Sequence, residues 1–178
     1  MPKVKIAIAG VGNCASALIQ GLEYYKQNPE DSIGLIQYSL AGIEPSDIEF
    51  VAAFDVNDKK VGIDLSEAIF QHPNNTAKII DVPKFNLSVS RAPVKDGIGK
   101  YLKDVIDVND SDYSNVVDVI KDSGADLLIN YLPVGSTDAT KYYAQCALDS
   151  NVGFINSIIG PLFDFNGVVI GIHSRISG

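Results

Sequence analysis

Residues 4–15 read Val-Lys-Ile-Ala-Ile-Ala-Gly-Val-Gly-Asn-Cys-Ala. Val4, Ile6 and Ile8 alternate with Lys5, Ala7 and Ala9 to give a short, mostly apolar strand that ends on Gly10, the pattern of a central parallel strand. Ala15, Leu18, Ile19, Leu22 and Tyr25 then recur at helical spacing, and Pro29 stops that helix. Between strand and helix, Gly10-Val11-Gly12-Asn13-Cys14-Ala15 has the form G-x-G-x-x-A. Gly10 permits a tight turn, Gly12 leaves room for a pyrophosphate to approach the backbone, and Ala15 lets the helix pack closely on the strand. The helix start, including Asn13 and Cys14, offers unpaired N–H groups and a partial positive charge to phosphate. This is the dinucleotide-binding fingerprint in the strand-turn-helix context it requires.

Working outward, Ile48 to Phe54 is a second near-continuous apolar run, closing on Asp55. A carboxylate there can accept hydrogen bonds from the adenosine ribose and repel a 2′-phosphate, which favours NAD over NADP. The competing reading is a solvated turn acid before Val56-Asn57-Asp58. The acid arrives much later than the roughly 20 residues usual after the glycine turn, and residues 29–47, with Pro29, Gly34, Gly42 and Pro45, account for the excess as an insertion. Leu65 to Phe70 reads as a short helix, Pro73-Asn74-Asn75 as a turn, Leu87 and Val89 as a brief extended piece, and Ile98 to Val105 as helical. Val116, Val117 and Ile120 mark a helix stopped by Gly124, followed by a strand at 127–131. A last unit has Ser136 or Thr137 capping a helix with Ala139, Tyr143, Cys146 and Ala147 inside, then a strand from Val152 to Ile155; Val168 to Ile172 can add one more. Strands alternating with helices predict an α/β fold, a Rossmann-type doubly wound parallel sheet.

At 178 residues, 46% of them apolar, the chain can bury a proper core. Its net charge of −8 is spread along the chain and disfavours nucleic acid as a partner. No apolar run approaches the roughly 20 residues of a membrane span, and no signal-peptide core follows Met1, so the expected location is cytoplasmic. Cys14 and Cys146 are too few for a zinc knuckle or a disulfide framework and read as small buried residues, with a redox pair the sharper alternative. His72 and His173 have no partners at metal-ligand spacing, so no metal is expected. No internal repeat or low-complexity segment is present.

Six blocks make the reading more specific: residues 6–25 (IAIAGVGNCASALIQGLEYY), 50–70 (FVAAFDVNDKKVGIDLSEAIF), 74–76 (NNT), 96–101 (DGIGKY), 131–136 (YLPVGS) and 141–147 (KYYAQCA). In order and spacing they resemble the motifs of the bacterial and archaeal inositol-1-phosphate synthases, from about Val4 to Asn156. The resemblance implies an NAD-binding domain over residues 1–156, and an isomerase that converts glucose 6-phosphate to inositol phosphate for inositol and phospholipid biosynthesis. In such an enzyme NAD oxidises C5, the chain carbon closes onto C1 by an aldol step, and the hydride returns, with no net redox change. It further implies a homo-oligomer, a tetramer in the family, and places Asp64 and Tyr143 beside Asp55 around the cofactor, with one more contact near Ser123, where the family carries alanine.

The residues alone allow plainer roles. Asp64 can cap the Leu65 helix, and Tyr143 sits at core spacing. Leu132, Pro133 and Gly135 lie at the carboxyl edge where nicotinamide binds in such sheets, yet they also form a helix entry. Asp96-Gly97 can face the active site or be a surface turn; Lys78 and Lys100 are candidates for a sugar phosphate but read first as solvated. After Asn156, residues 157–178 do not match the family's second, α+β catalytic domain, which carries the substrate lysines. Catalytic residues are therefore unassigned, and the chain is expected to bind NAD with little chemistry alone. An ordinary NAD-dependent dehydrogenase and a non-catalytic NAD-binding module are the alternatives.

Overall fold

A computed structural model describes residues 3–98, 103–157 and 169–171. Six parallel strands form one sheet in the order β3-β2-β1-β4-β5-β6. They are β1 (Val4–Ala9), β2 (Ile48–Asp55), β3 (Ser90–Arg91), β4 (Leu127–Asn130), β5 (Gly153–Asn156) and β6 (Val169–Gly171). The helices are α1 (Asn13–Gln27), α2 (Leu65–Ala68), α3 (Val116–Ser123) and α4 (Thr137–Asp149), with a 3-10 turn at Pro45–Asp47. The strand order reverses between β1 and β4, the switch point at whose carboxyl edge open sheets of this kind bind ligands.

The pleat of β1 explains the two layers. Ala7 and Ala9 face one side, where Phe54, Leu128 and Phe154 meet Val116 and Ile120 of α3 and Tyr143, Cys146 and Ala147 of α4. Ile6 and Ile8 face the other, with Phe50, Ala53, Ala15 and Ile19 of α1 and Leu65 and Ala68 of α2. Small residues on one face of β1 let α3 and α4 come close, while larger ones fill the space beneath α1. Helix α3 ends where Gly124 adopts a left-handed φ of 65°, as its position predicts.

Several expectations shift. The extended piece at Leu87 and Val89 becomes β3 one step later; residues 87 and 89 instead bond back to Leu65, Ile63 and Gly62. The Leu65 helix is regular only to Ala68. The helix expected over 98–105 includes residues 99–102, outside those described. Cys14 is exposed rather than buried, because the first turn of α1 faces outward at the sheet edge; Cys146 is buried and both thiols are free. The strand expected near 168–172 is present as β6. Among the described residues no helix is long and apolar enough to cross a membrane.

Two polar groups sit in this core with their needs met. Gln20, fully buried on α1, donates to Ser16 Oγ and the Ala77 carbonyl and accepts from Ile79 N. Asn130, also fully buried, donates to Thr140 Oγ1 at 3.0 Å and Asn156 Oδ1 at 2.9 Å, and accepts from Leu132 N. Unmet, such amides would each cost about 1–3 kcal/mol.

Gly10 has φ +90°, and a Cβ built on it would lie 3.0 Å from the Tyr131 backbone. Gly10→Ala therefore combines a disfavoured backbone conformation with a main-chain clash. It should lower unfolding free energy by roughly 2 kcal/mol or more; a urea midpoint equal to wild type would refute that role.

Candidate functional site

A cavity of about 650 Å³ opens at the carboxyl edge of the sheet, above the switch point. Gly10, Gly12, Asn13 and Cys14 form one wall, Asp55, Asn57 and Lys60 a second, and Tyr131, Leu132, Pro133, Tyr143 and Ser157 a third. Strand β1 delivers the glycine turn, β2 delivers Asp55, β4 leads into 131–133, and Ser157 directly follows β5.

The turn is held at its middle residue. Val11 N donates to Asp55 Oδ2 at 2.8 Å, while the Val11 carbonyl accepts from Lys60 Nζ at 2.8 Å and Asn74 Nδ2 at 3.0 Å. Asp55 Oδ1 accepts from Val56 N and Asn57 N as well. The carboxylate thus takes three backbone donors, and a carboxylate with about four acceptor positions keeps one for a ligand hydroxyl. Neither sequence reading of Asp55 foresaw this: it belongs to the cavity wall and also braces the glycine turn.

Gly12 contrasts with Gly10. It caps α1 at φ −91°, no side chain caps the helix, and no acid stands in its first turn. A Cβ on Gly12 would meet nothing within 4 Å. The protein itself does not need glycine here, so the space belongs to whatever enters the cavity. Among the described residues nothing accepts from the N–H groups of Asn13, Cys14 and Ala15, and a helix start so left is suited to an anion. The Asn13 side chain is turned the other way: its Oδ1 accepts from Asn75 N, Thr76 N and Thr76 Oγ1, and its Nδ2 donates to Asn75. Residues 73–79 are thereby strapped across the start of α1.

Tyr143 is 4% exposed, packs against Phe54 at 6.1 Å between ring centroids, and reaches the cavity wall. It packs in the core, as its helical spacing predicts, and also borders the cavity. Burial, followed by the nearby Asp55 charge, pushes its phenol well above the usual value, so the hydroxyl stays protonated. Lys60 is 3% exposed. Burial pulls its pKa down, opposed by Asp55.

Other expected residues lie elsewhere. Ala15 is fully buried behind the turn and packs on the sheet, as the fingerprint requires. Asp64 is not in the cavity wall. It caps α2, accepting from Ser66 N and Oγ and from Phe85 N and Leu87 N. Burial opposes its charge, but these donors prevail and hold the carboxyl below the usual range. Ser123 ends α3, where its Oγ donates to the Ile120 carbonyl, at the edge of the sheet from which β4 starts and opposite the cavity. Lys78 pairs with Asp81 at 2.6 Å and lies over the Phe70 ring. Lys100 and His173 lie outside the described residues.

Ser136 begins α4 as expected, but its side chain makes no cap bond and neither does Thr137. The cap comes from Asp96, whose two oxygens accept from Asp138 N at 2.8 Å and Ala139 N at 2.9 Å. The sequence had no signal for this, since capping across 42 residues leaves no local pattern. Lys60, Asn57 and Asn74 were also missed; each reads as an ordinary loop residue until the fold brings Lys60 and Asn74 onto the Val11 carbonyl and Asn57 onto the His72 carbonyl.

The curated relatives agree with this geometry. Over 163 residues, 90% of this chain, it is 50% identical to the inositol-3-phosphate synthase of Mycolicibacterium smegmatis, and over 162 residues 46% identical to that of Corynebacterium glutamicum. Over nine-tenths of its length the chain is homologous to part of the inositol-3-phosphate synthases. It spans 44% of the length of these synthases. No protein-family profile matches it. Among solved structures, Ari2 is similar over 89% of this chain and 46% of its own, with 30% identity and a TM-score of 0.75. At 19% identity and a TM-score of 0.63, a myo-inositol-1-phosphate synthase-related protein from Thermotoga maritima shares the fold over 89% of this chain and 49% of its own. So does RSP, crystallised with β-NAD+ and operator DNA, at 14% identity and 0.51 over 97% of this chain and 52% of its own. The parallel sheet is thus of the Rossmann type, shared with these structures.

Asp96 offers a direct test of its cap. Burial works against its charge, but the backbone donors win and lower its pKa from the ordinary 3.8. Its stabilisation is therefore present above that value and lost as pH falls through the lower folded one. Asp96→Ala should cost about 1 kcal/mol at neutral pH, and the gap to wild type in thermal unfolding should close in strong acid; a constant gap would refute the assignment.

Proposed function

We propose that this chain is the NAD-binding part of an inositol-3-phosphate synthase, serving the conversion of glucose 6-phosphate to inositol phosphate. The observation that carries the reading is the match of 50% over 90% of the chain, joined to a cavity whose glycine wall has room that no protein atom needs. When bound, NAD supplies a hydride acceptor and donor, which lets a sugar alcohol be oxidised and later restored without net redox change.

The chain's own residues divide the work of holding it. Asn13, Cys14 and Ala15 present N–H groups to the diphosphate, and Gly12 gives it clearance. Asp55 keeps one acceptor position for an adenosine ribose hydroxyl and repels a 2′-phosphate, the basis for NAD over NADP. Leu132, Pro133 and Tyr143 form the wall at the ends of β4 and α4, where the nicotinamide end would lie and where apolar surface excludes water. Asp64 and Ser123, implied by family resemblance as cofactor contacts, do not line this cavity, and the bonds they make here are helix-capping ones.

Among the described wall residues there is no histidine and no cluster of lysines to grip a sugar phosphate and polarise its carbonyl. Such chemistry needs several positioned groups, each worth powers of ten in rate. The 178 residues alone are expected to bind NAD without synthase turnover, as a cytoplasmic protein that assembles with copies of itself.

Calorimetry with NAD and NADP tests the binding, and incubation with NAD and glucose 6-phosphate tests the chemistry. Gly12→Val should abolish NAD binding while leaving the circular dichroism spectrum unchanged. Retained binding would sink the cavity assignment, and inositol phosphate formed by the chain alone would overturn the division of labour. Asp55→Ala should weaken NAD and narrow its advantage over NADP, and because Asp55 also braces Val11 it should lower stability by about 1–3 kcal/mol. Unchanged affinity and melting would refute both roles.

A further inference from the structure

Lys60 is out of proportion to the partners it has. Its ammonium is buried to 3% exposure yet bonds only a carbonyl, Val11 O at 2.8 Å, and an amide oxygen, Asn74 Oδ1 at 2.9 Å. Among the described residues it forms no ion pair. Two neutral acceptors are adequate for a neutral donor; they do not offset the removal of a full charge from water. An ammonium has three N–H groups, and only two are engaged. Lys60 nevertheless lines the cavity, beside the one residue that separates Gly10 from Gly12.

The chain places it there deliberately. Asn57 N donates to Asp55 Oδ1, and the turn after it is closed by Lys60 N and Val61 N donating to the Asn57 carbonyl at 2.9 and 3.0 Å. Asn57 Oδ1 takes Lys59 N, and Asn57 Nδ2 donates to the His72 carbonyl. This doubly fastened turn carries the Lys60 stem inward while Lys59 stays exposed.

Resting on the NAD reading above, we infer that Lys60 is a diphosphate-binding residue, its third N–H and its charge completing the anion site that the start of α1 begins. The ligand class is a nucleoside diphosphate ester. The ammonium keeps Val11 O and Asn74 as orienting acceptors, and the diphosphate supplies the direct ion pair that nearby Asp55, bonded to backbone N–H groups, does not make. Binding strength should therefore depend on the diphosphate, independently of the adenosine end held by Asp55.

Three ligands separate the two ends: adenosine, ADP-ribose and NAD. Titrated calorimetrically against wild type and Lys60→Met, which keeps an apolar stem of similar length, NAD and ADP-ribose should each bind roughly 10- to 100-fold more weakly to the variant, the range for a lost charged hydrogen bond. Adenosine should bind the two proteins within about twofold. Equal losses for all three ligands would show that Lys60 acts only by bracing the turn, and no loss would show that it does not meet the diphosphate; either overturns the inference. Should Lys60→Met not fold, the wild-type chain decides through the 15N resonance of Lys60 Nζ. That signal should move with ADP-ribose and stay with adenosine, and a signal indifferent to ADP-ribose overturns the proposal. Failure of wild type to bind ADP-ribose at all defeats the NAD reading and this one together, whereas binding with Lys60 indifferent defeats only this one.

Discussion

Val11 is fully buried, and both of its main-chain polar groups are held by side chains of opposite charge: its N–H by Asp55 and its carbonyl by Lys60. A glycine-rich turn is otherwise the least constrained stretch of a chain, since glycine loses the most freedom on folding. Here the ends of β1 and β2, the turn after β2 and Asn74 all converge on one residue. The width of the cavity and the free N–H groups of α1 follow from where that residue is fixed. A preformed site of this kind spends little of its binding energy on ordering itself.

The same economy runs through the supporting parts. Asp64, Asp96 and Asn13 look like ligand-binding residues by type, yet they spend their acceptors on backbone N–H groups distant in sequence, Asp64 and Asn13 on loops and Asp96 on the first turn of α4. The loops at 73–79 and 85–89 have little regular structure, so their backbone donors must find side chains. Acidic and amide side chains therefore serve as substitutes for missing sheet, and the cavity inherits rigidity from loops.

What was legible in the sequence was whatever repeats with a local period. The β1 alternation, the face of α1, the apolar run of β2 with Asp55 at its end, and the Gly124 stop after α3 all follow from neighbours a few residues apart. The contacts that finish the site were not legible, because Lys60 to Val11 spans 49 residues and Asp96 to Asp138 spans 42. Cys14 was misread for a related reason: an apolar type in a helical pattern suggests burial, but the first turn of α1 stands at the open edge of the sheet. Asp64 was legible in part, since the local capping pattern at the start of α2 is the one it makes.

Asn130 and Asn156 are register partners on β4 and β5, joined through their side-chain amides. Parallel strands of mainly apolar residues have many nearly equivalent pairings, and hydrophobic contact alone discriminates poorly among them. A slip of one residue would turn Asn156 to the opposite face of the sheet. A slip of two would set Asn130 against Phe154 and break the bond between the two amides. Either misalignment forfeits about 1 kcal/mol, so the pair favours the native strand alignment over its neighbours.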